Sequence, residues 1–353
     1  MKVLHIAETI KGGVATVLDQ LLDDSRVESL AIIPDLHLNQ VENKSKCVVF
    51  KRSGRDFLSF INLLIIFIKQ LKDFKPDIVH IHSSFAGLIC RLYIFLLFKK
   101  NVKVVYCPHA FSFLMDVSFF KKKFFCIIEL FLSYVTDVII CTSNYEKEIA
   151  VKNGLNSNKI IVVYNGIKPP FNIEIINDPL LPKDKINILY VGRFDYQKAF
   201  DFVIELSENL SDKYYLTIVG DYVNDQKNDL PQSVNHIKWL NKFELASYYY
   251  YSDLVFMPSR WESFGLVAVE ANSYGVPVLA ANRSSLPEII VHEKNGLIFN
   301  EFNVSKVIEL IESYNKTDFE EMSERCMENY QSKFTTKIML DNVFDLYKKL
   351  VIK

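Results

Sequence analysis

The stretch from Pro258 to Ala281, PSRWESFGLVAVEANSYGVPVLAA, decides the fold. Glu262 and Glu270 lie on either side of the small, apolar run SFGLVAV. The preceding DLVFM, Asp253 to Met257, reads as a buried strand. Gly275 is a helix stop, and VPVLAA reads as a second strand. The pattern therefore predicts strand, turn, helix, strand, with Glu262 in the turn and Glu270 in the helix. In open parallel sheets ligands bind beyond the carboxyl ends of the strands. A helix starting near Phe264 would aim free backbone N–H groups at that place, which suits a diphosphate-like anion. A glutamate beside those donors can accept hydrogen bonds from sugar hydroxyls. A single glutamate there is equally well explained as an acidic residue easing the helix dipole.

Outward from this stretch the chain alternates strand and helix. In the first half, strands are expected at 2–7, 30–33, 48–50, 77–82, 102–107, 137–142 and 159–163. Helical patterns fall at 15–22, 57–71, 85–98, 118–135 and 145–153. Such alternation predicts a parallel sheet covered on both faces. The segment NGIKPPFNIEIINDPLLPKDK, about residues 165–185, is rich in Pro, Asn and Asp without a clear period and reads as a linker. The second half repeats the alternation, with strands at 187–192, 215–219, 235–239, 253–257, 277–280 and 297–299. From about residue 304 the tail reads as helical throughout.

With 353 residues, half of them hydrophobic, the chain suits two domains with large cores. Residues 1–170 carry 22 Lys and Arg against 15 Asp and Glu, and the remainder carries 19 against 27. A basic half beside an acidic one points the first half toward an anionic partner such as a membrane surface. The six cysteines show neither CxxC pairing nor metal-ligand spacing, which fits a reducing, cytoplasmic setting. No signal peptide is expected, because MKVLHIAETI reads as a strand. The apolar runs 57–68, 85–98 and 124–135 are too short to span a bilayer, and Arg91 and Glu129 interrupt two of them, so they are expected as buried or interfacial helices.

Several further residues carry chemistry. Gly192-Arg193-Phe194-Asp195-Tyr196-Gln197-Lys198 follows a strand, and its Arg and Lys can clamp a diphosphate as fork and point charge. A solvated loop is the plainer reading of the same residues. Gly12-Gly13 follows the first strand, where backbone can approach a ligand closely. It lacks the full dinucleotide fingerprint. His109 sits at a strand end after Pro108. Of His80 and His82 in DIVHIH, one is expected to face the core while His82 approaches a ligand cleft. Phe119 to Phe125, FFKKKFF, sets three lysines between two aromatic pairs. Together with Lys99-Lys100 it is expected to contact an anionic membrane peripherally.

The pattern P-S-x-x-E-S-F-G with E-A-x-x-x-G-x-P-V resembles the E-x7-E signature of the retaining family 4 (group 1) glycosyltransferases of bacterial surface-polysaccharide type. Pro258, Ser259, Glu262, Ser263, Phe264, Gly265, Glu270, Ala271, Gly275, Pro277 and Val278 carry it. The resemblance implies an α/β fold of GT-B type, two doubly wound Rossmann-like parallel-sheet domains facing across a cleft. Residues 1–165 would bind the acceptor and 166–335 the nucleotide sugar. A last helix, 336–353, would cross back to the first domain. Asn165-Gly166-Ile167 resembles the family's hinge. Arg193 and Lys198 match its diphosphate-binding element, with Ala199 where glycine is common. Ser263, Phe264 and Gly265 would line the donor site, and Gly12 and Gly13 would reach toward it. Glu262 would steady the sugar, Glu270 the ribose, and His109 would act near the reacting centre. Asn282 to Glu288 stands where relatives often carry G-G-x-P-E, with serines replacing glycines.

The implied function is retaining transfer of a hexose-type sugar, from a UDP sugar as the leading donor, to a saccharide or lipid-linked acceptor in polysaccharide biosynthesis. The implied location is cytoplasmic, on the inner face of the plasma membrane. No nucleic-acid partner is expected. Without a D-x-D triad or a metal-spaced cluster, no metal cofactor is expected. A GT-B sugar-nucleotide epimerase, a non-catalytic nucleotide-sugar-binding protein and a dinucleotide dehydrogenase are the competing readings.

Overall fold

The computed structural model describes residues 1–10, 12–97, 102–172, 177–222 and 230–352. Lys99-Lys100, the end of the helix expected at 85–98, and part of the expected linker lie outside them. The chain divides into two compact units, Met1–Gly166 with Thr336–Lys353, and Ile167–Thr335.

In the first unit, strands β1 (Lys2–Ala7), β2 (Glu28–Pro34), β3 (Cys47–Phe50), β4 (Ile78–His82), β5 (Lys103–Cys107), β6 (Val138–Cys141) and β7 (Ile160–Val162) alternate with helices. These are α1 (Gly13–Asp23), α2 (Phe57–Asp73), α3 (Ser84–Leu97), α4 (Phe119–Leu132) and α5 (Asn144–Lys152). The seven strands are parallel, in the order β3-β2-β1-β4-β5-β6-β7. The strand order reverses between β1 and β4, which makes that pair the topological switch point.

The sheet is apolar on both faces, as a covered parallel sheet requires. Leu4, Ile6, Val79 and Ile81 pack with Leu63 and Phe67 of α2. The opposite face, with Val3, Ile78 and Val105, packs against Val17 and Leu21 of α1 and against Val343 and Tyr347 near the carboxyl terminus. The charges that interrupt two of the apolar runs find each other. Arg91 of α3 is fully buried and donates to Glu129 of α4 at 2.8 Å, and the Tyr106 hydroxyl donates to the same carboxylate at 3.0 Å.

In the second unit, the strands are β8 (Ile186–Val191), β9 (Tyr214–Val219), β10 (Val234–Ile237), β11 (Leu254–Met257), β12 (Val278–Ala281) and β13 (Gly296–Phe299). The helices are α6 (Phe200–Asn209), α7 (Lys242–Tyr250), α8 (Leu266–Ser273), α9 (Leu286–Ile289), α10 (Val304–Glu312) and α11 (Lys316–Lys333). The last helix of the chain, α12 (Thr336–Val351), belongs to the first unit. The parallel order β10-β9-β8-β11-β12-β13 reverses between β8 and β11. From residue 304 onward the chain is helical as expected, in α10, α11 and α12, and Asn315 separates α11 from α10 with a reciprocal capping box. All six cysteines are free thiols, and among the described residues no helix is long and apolar enough to cross a membrane.

Candidate functional site

The second unit places the expected donor residues at its β8/β11 switch point. β8 runs into the loop carrying Arg193 and Lys198, and β11 runs into the loop carrying Glu262. The Lys198 ammonium and the Glu262 carboxylate form an ion pair across that point, both side chains largely shielded from water. Arg193 sits on the same loop, half exposed. Its guanidinium pairs with Asp195 at 3.0 Å and donates to Gln197 Oε1 at 2.9 Å.

The two loops are stitched together by backbone and amide groups. Gln197 Nε2 donates to Trp261 O at 3.1 Å, and the Arg260 N–H donates to Gln197 O at 2.8 Å. The Ser285 hydroxyl, wholly buried, lies 2.7 Å from Phe264 O and 3.2 Å from Glu262 O. One of the serines standing in place of a family glycine thus props the glutamate loop.

Helix α8 begins directly after Gly265, whose φ of 111° turns the chain into it. Ser263 precedes this turn. The Phe264 ring is buried against Phe334, so it anchors the loop from beneath. Glu270, one turn into α8, accepts a hydrogen bond from Tyr249 of α7 at 2.8 Å, and burial pushes its carboxyl above the usual range. The sequence pattern does not flag Tyr249 as the partner of Glu270.

In the first unit, Gly12 has φ 67° and starts α1 at Gly13 after β1. His109 lies beyond β5 with φ 53°, followed by Ala110 at φ 145°, and Ser83 beyond β4 has φ 74°. Non-glycine residues held in these conformations are strained, and such strain collects at functional sites.

The expectation that His80 and His82 divide between core and cleft is corrected. Residues two apart on a strand point to the same face, and both are buried, at 2% and 1% exposure. His82 Nδ1 meets His109 Nε2 at 2.9 Å, and His82 Nε2 meets His5 Nδ1 at 3.1 Å. His80 Nδ1 meets the Tyr347 hydroxyl. Burial holds His5 and His109 neutral, pushing them down to about 3 and about 4. It pushes His80 and His82 well below the usual histidine range.

Among the described residues, His5, His80 and His82 form the one group whose ligand atoms come close enough to suggest a metal. Both nitrogens of His82 are already engaged by other imidazoles, so the group is built as a hydrogen-bonded array.

A second buried group was missed by the sequence reading. Glu8, 1% exposed at the end of β1, receives Arg52 Nε at 3.1 Å and Arg52 Nη2 at 2.6 Å, while its other oxygen is buried without a partner. The available signal was a carboxylate placed directly after an apolar strand at the switch point.

The model of the glycosyl transferases group 1 matches residues 171–333, and that of glycosyltransferase family 4 matches residues 29–170. An uncharacterized 41.2 kDa protein in the cps region of Klebsiella pneumoniae is 42% identical over 357 residues, covering 99% of each chain. A UDP-Gal:alpha-D-GlcNAc-diphosphoundecaprenol alpha-1,3-galactosyltransferase of Escherichia coli is 28% identical over 84% of this chain and 81% of its own. Among solved structures, Anabaena HepE in complex with UDP and glucose superposes with a TM-score of 0.83 at 16% identity, covering 99% of this chain and 100% of that one. Two matched models that follow one another along the sequence, and two doubly wound parallel sheets, lead to one conclusion: the chain belongs to the glycosyltransferases of the GT-B fold.

Proposed function

We propose that the protein transfers a hexose-type sugar, with retention, from a UDP sugar to a lipid-linked saccharide during polysaccharide assembly. The observation that carries this reading is the Lys198–Glu262 pair across the β8/β11 switch point, beside the start of α8. A nucleoside diphosphate leaving group gathers negative charge as the glycosidic bond breaks. Lys198, Arg193 and the first N–H groups of α8 would stabilise that charge most strongly at the transition state. Glu262, already held by Lys198, would accept hydrogen bonds from the sugar, and Glu270 would hold the ribose. The acceptor hydroxyl would attack from the side the leaving group departs, with the departing phosphate taking its proton. This donor arrangement needs no metal. The UDP held by HepE and the galactosyl donor and lipid-diphosphate acceptor named for the Escherichia coli relative support the substrate classes.

The test is transfer from a panel of UDP hexoses to a lipid-linked saccharide. Lys198→Ala and Glu262→Ala should each lower kcat by about 10²–10³ while the thermal melt stays cooperative. Rates near wild type for both would refute the site. Isomerised sugar nucleotide released without acceptor would instead establish the epimerase reading.

The first unit supports a peripheral membrane location on the face where such an acceptor resides. On α4, Phe120, Phe124, Ile127 and Phe131 recur at helical spacing and form one outward stripe, 81%, 60%, 56% and 44% exposed. Phe95 of α3 extends it, stacking edge-on to Phe131 at 4.8 Å. Lys121 and Lys123 flank the stripe, exposed, while Arg91 and Glu129 fix the inner face. An apolar stripe edged by lysines fits the interface of an anionic bilayer. The wild-type chain should sediment with phosphatidylglycerol-containing vesicles, and Phe120→Ser/Phe124→Ser should not. Equal sedimentation of both would remove this location.

A further inference from the structure

The histidines of β1 and β4 form a directed chain that ends at His109. We infer that His82 and His5 are positioning residues that lock His109 in its Nδ1–H form, so that it presents an uncharged hydrogen-bond donor to a hydroxyl or other oxygen of the substrate. The inference rests on the proposed reading of His109 as a group near the reacting centre.

The geometry fixes the chain link by link. His109 Nε2 points inward to His82 Nδ1 at 2.9 Å, and His82 Nε2 continues to His5 Nδ1 at 3.1 Å. The rings follow one another nearly face to face. His82 and His109 are inclined by 20° at 5.2 Å, and His5 and His82 by 24° at 5.4 Å. Because Nε2 of His109 is committed inward, Nδ1 is the nitrogen left for a ligand.

A neutral imidazole carries one proton, so choosing the tautomer at one end sets all three. If protons pointed inward, each histidine would carry its proton on Nε2. His5 Nε2, buried and without a partner, would then be an N–H donor with no acceptor. If they point outward, His5 Nδ1–H donates to His82 and His82 Nδ1–H donates to His109. What remains on His5 Nε2 is a bare lone pair. Orphaned buried N–H groups are the rarer and costlier kind, so the outward arrangement is preferred. His109 then carries its proton on Nδ1.

Burial keeps the imidazolium form from intervening, so the donor stays neutral. The strained backbone at His109 and Ala110 supplies the fixed placement that such a donor needs. His5 and His82 lie on neighbouring strands at the β1/β4 switch point, so the array is held by the sheet itself.

The test uses the full chain labelled with ¹⁵N-histidine, without ligand, at neutral pH. Long-range ¹H–¹⁵N correlation should show Nδ1–H on His5, His82 and His109. A proton on Nε2 of His82 or His109 overturns the inference. For kinetics, His82→Phe keeps a ring in the core but removes the donor, and should lower kcat roughly tenfold with the donor KM unchanged. His82→Asn places an amide N–H where Nδ1–H stood and should restore most of the rate. A His82→Phe enzyme with wild-type kcat, or one that Asn does not rescue, also overturns it. Failure of the underlying reading looks different: His109→Ala would transfer sugar normally while the wild-type tautomers stayed as described.

Discussion

Both sheets reverse their strand order at one place, and the two units fill that place with opposite chemistry. In the second unit an ammonium and a carboxylate meet there, Lys198 with Glu262. In the first unit two neutral imidazoles meet, His5 of β1 with His82 of β4. Topology therefore determines where polar groups collect, and the side chains determine what they can recognise. A charged rim suits a leaving diphosphate, whose negative charge grows during reaction. A neutral donor suits hydroxyls, and His109, which His82 contacts in turn, can offer one directional hydrogen bond without desolvating an ion. The first unit uses charge as well: beside the imidazoles Glu8, directly after β1, pairs with Arg52, and in the interior Arg91 is stapled to Glu129.

The glycines that start a helix at each rim sharpen the contrast. Gly265 has φ 111°, and a Cβ there would stand 3.0 Å from Leu286 Cδ2 and 3.4 Å from Ile289 Cδ1. Gly12 has φ 67°, and a Cβ there would meet nothing within 4 Å. Both positions strain an L-residue, but only Gly265→Ala also overpacks its surroundings. Gly265→Ala should cost about 3 kcal/mol and Gly12→Ala about 1 kcal/mol, read from urea midpoints. Tryptophan emission follows the second unit in the first of these, since Trp239 and Trp261 both lie there. A Gly12 variant as damaging as the Gly265 variant would mean that the first rim is as tightly packed as the second.

The fold was legible because parallel sheets buried on both faces read as short apolar runs separated by helices. Glu262, Ser263, Phe264 and Gly265 were legible because strand, turn and helix follow one another within a few residues. Tertiary partnerships were not. Nothing local tells Arg91 that Glu129 will meet it, or tells Ser285 that it will brace the Glu262 loop. The histidines show a different failure. DIVHIH announces two imidazoles on one face of a strand, but their partners, His5 and His109, come from two other places in the sequence. The array becomes visible only when the sheet sets those places side by side.

Acid offers a way to break the contrast between the rims. His5 and His109 titrate at about 3 and about 4 in the folded protein, because burial disfavours their charged forms, against about 6.5 in the unfolded chain. Between those values the unfolded chain binds more protons, so stability rises with pH. The stability these neutral histidines contribute is complete above pH 6.5 and is lost as pH falls toward their folded values. At pH 5 a single such histidine should cost about 2 kcal/mol. Hydrogen exchange localises the loss: protection of the β1 and β4 amides should fall between pH 7.5 and pH 5 more than that of β8 and β11. The two histidines of the second unit, His236 and His292, are exposed rather than buried. His5→Phe should flatten the pH dependence of the first unit while leaving the second unit unchanged. Equal loss of protection in both sheets would mean that the buried imidazoles do not set the first unit's acid sensitivity.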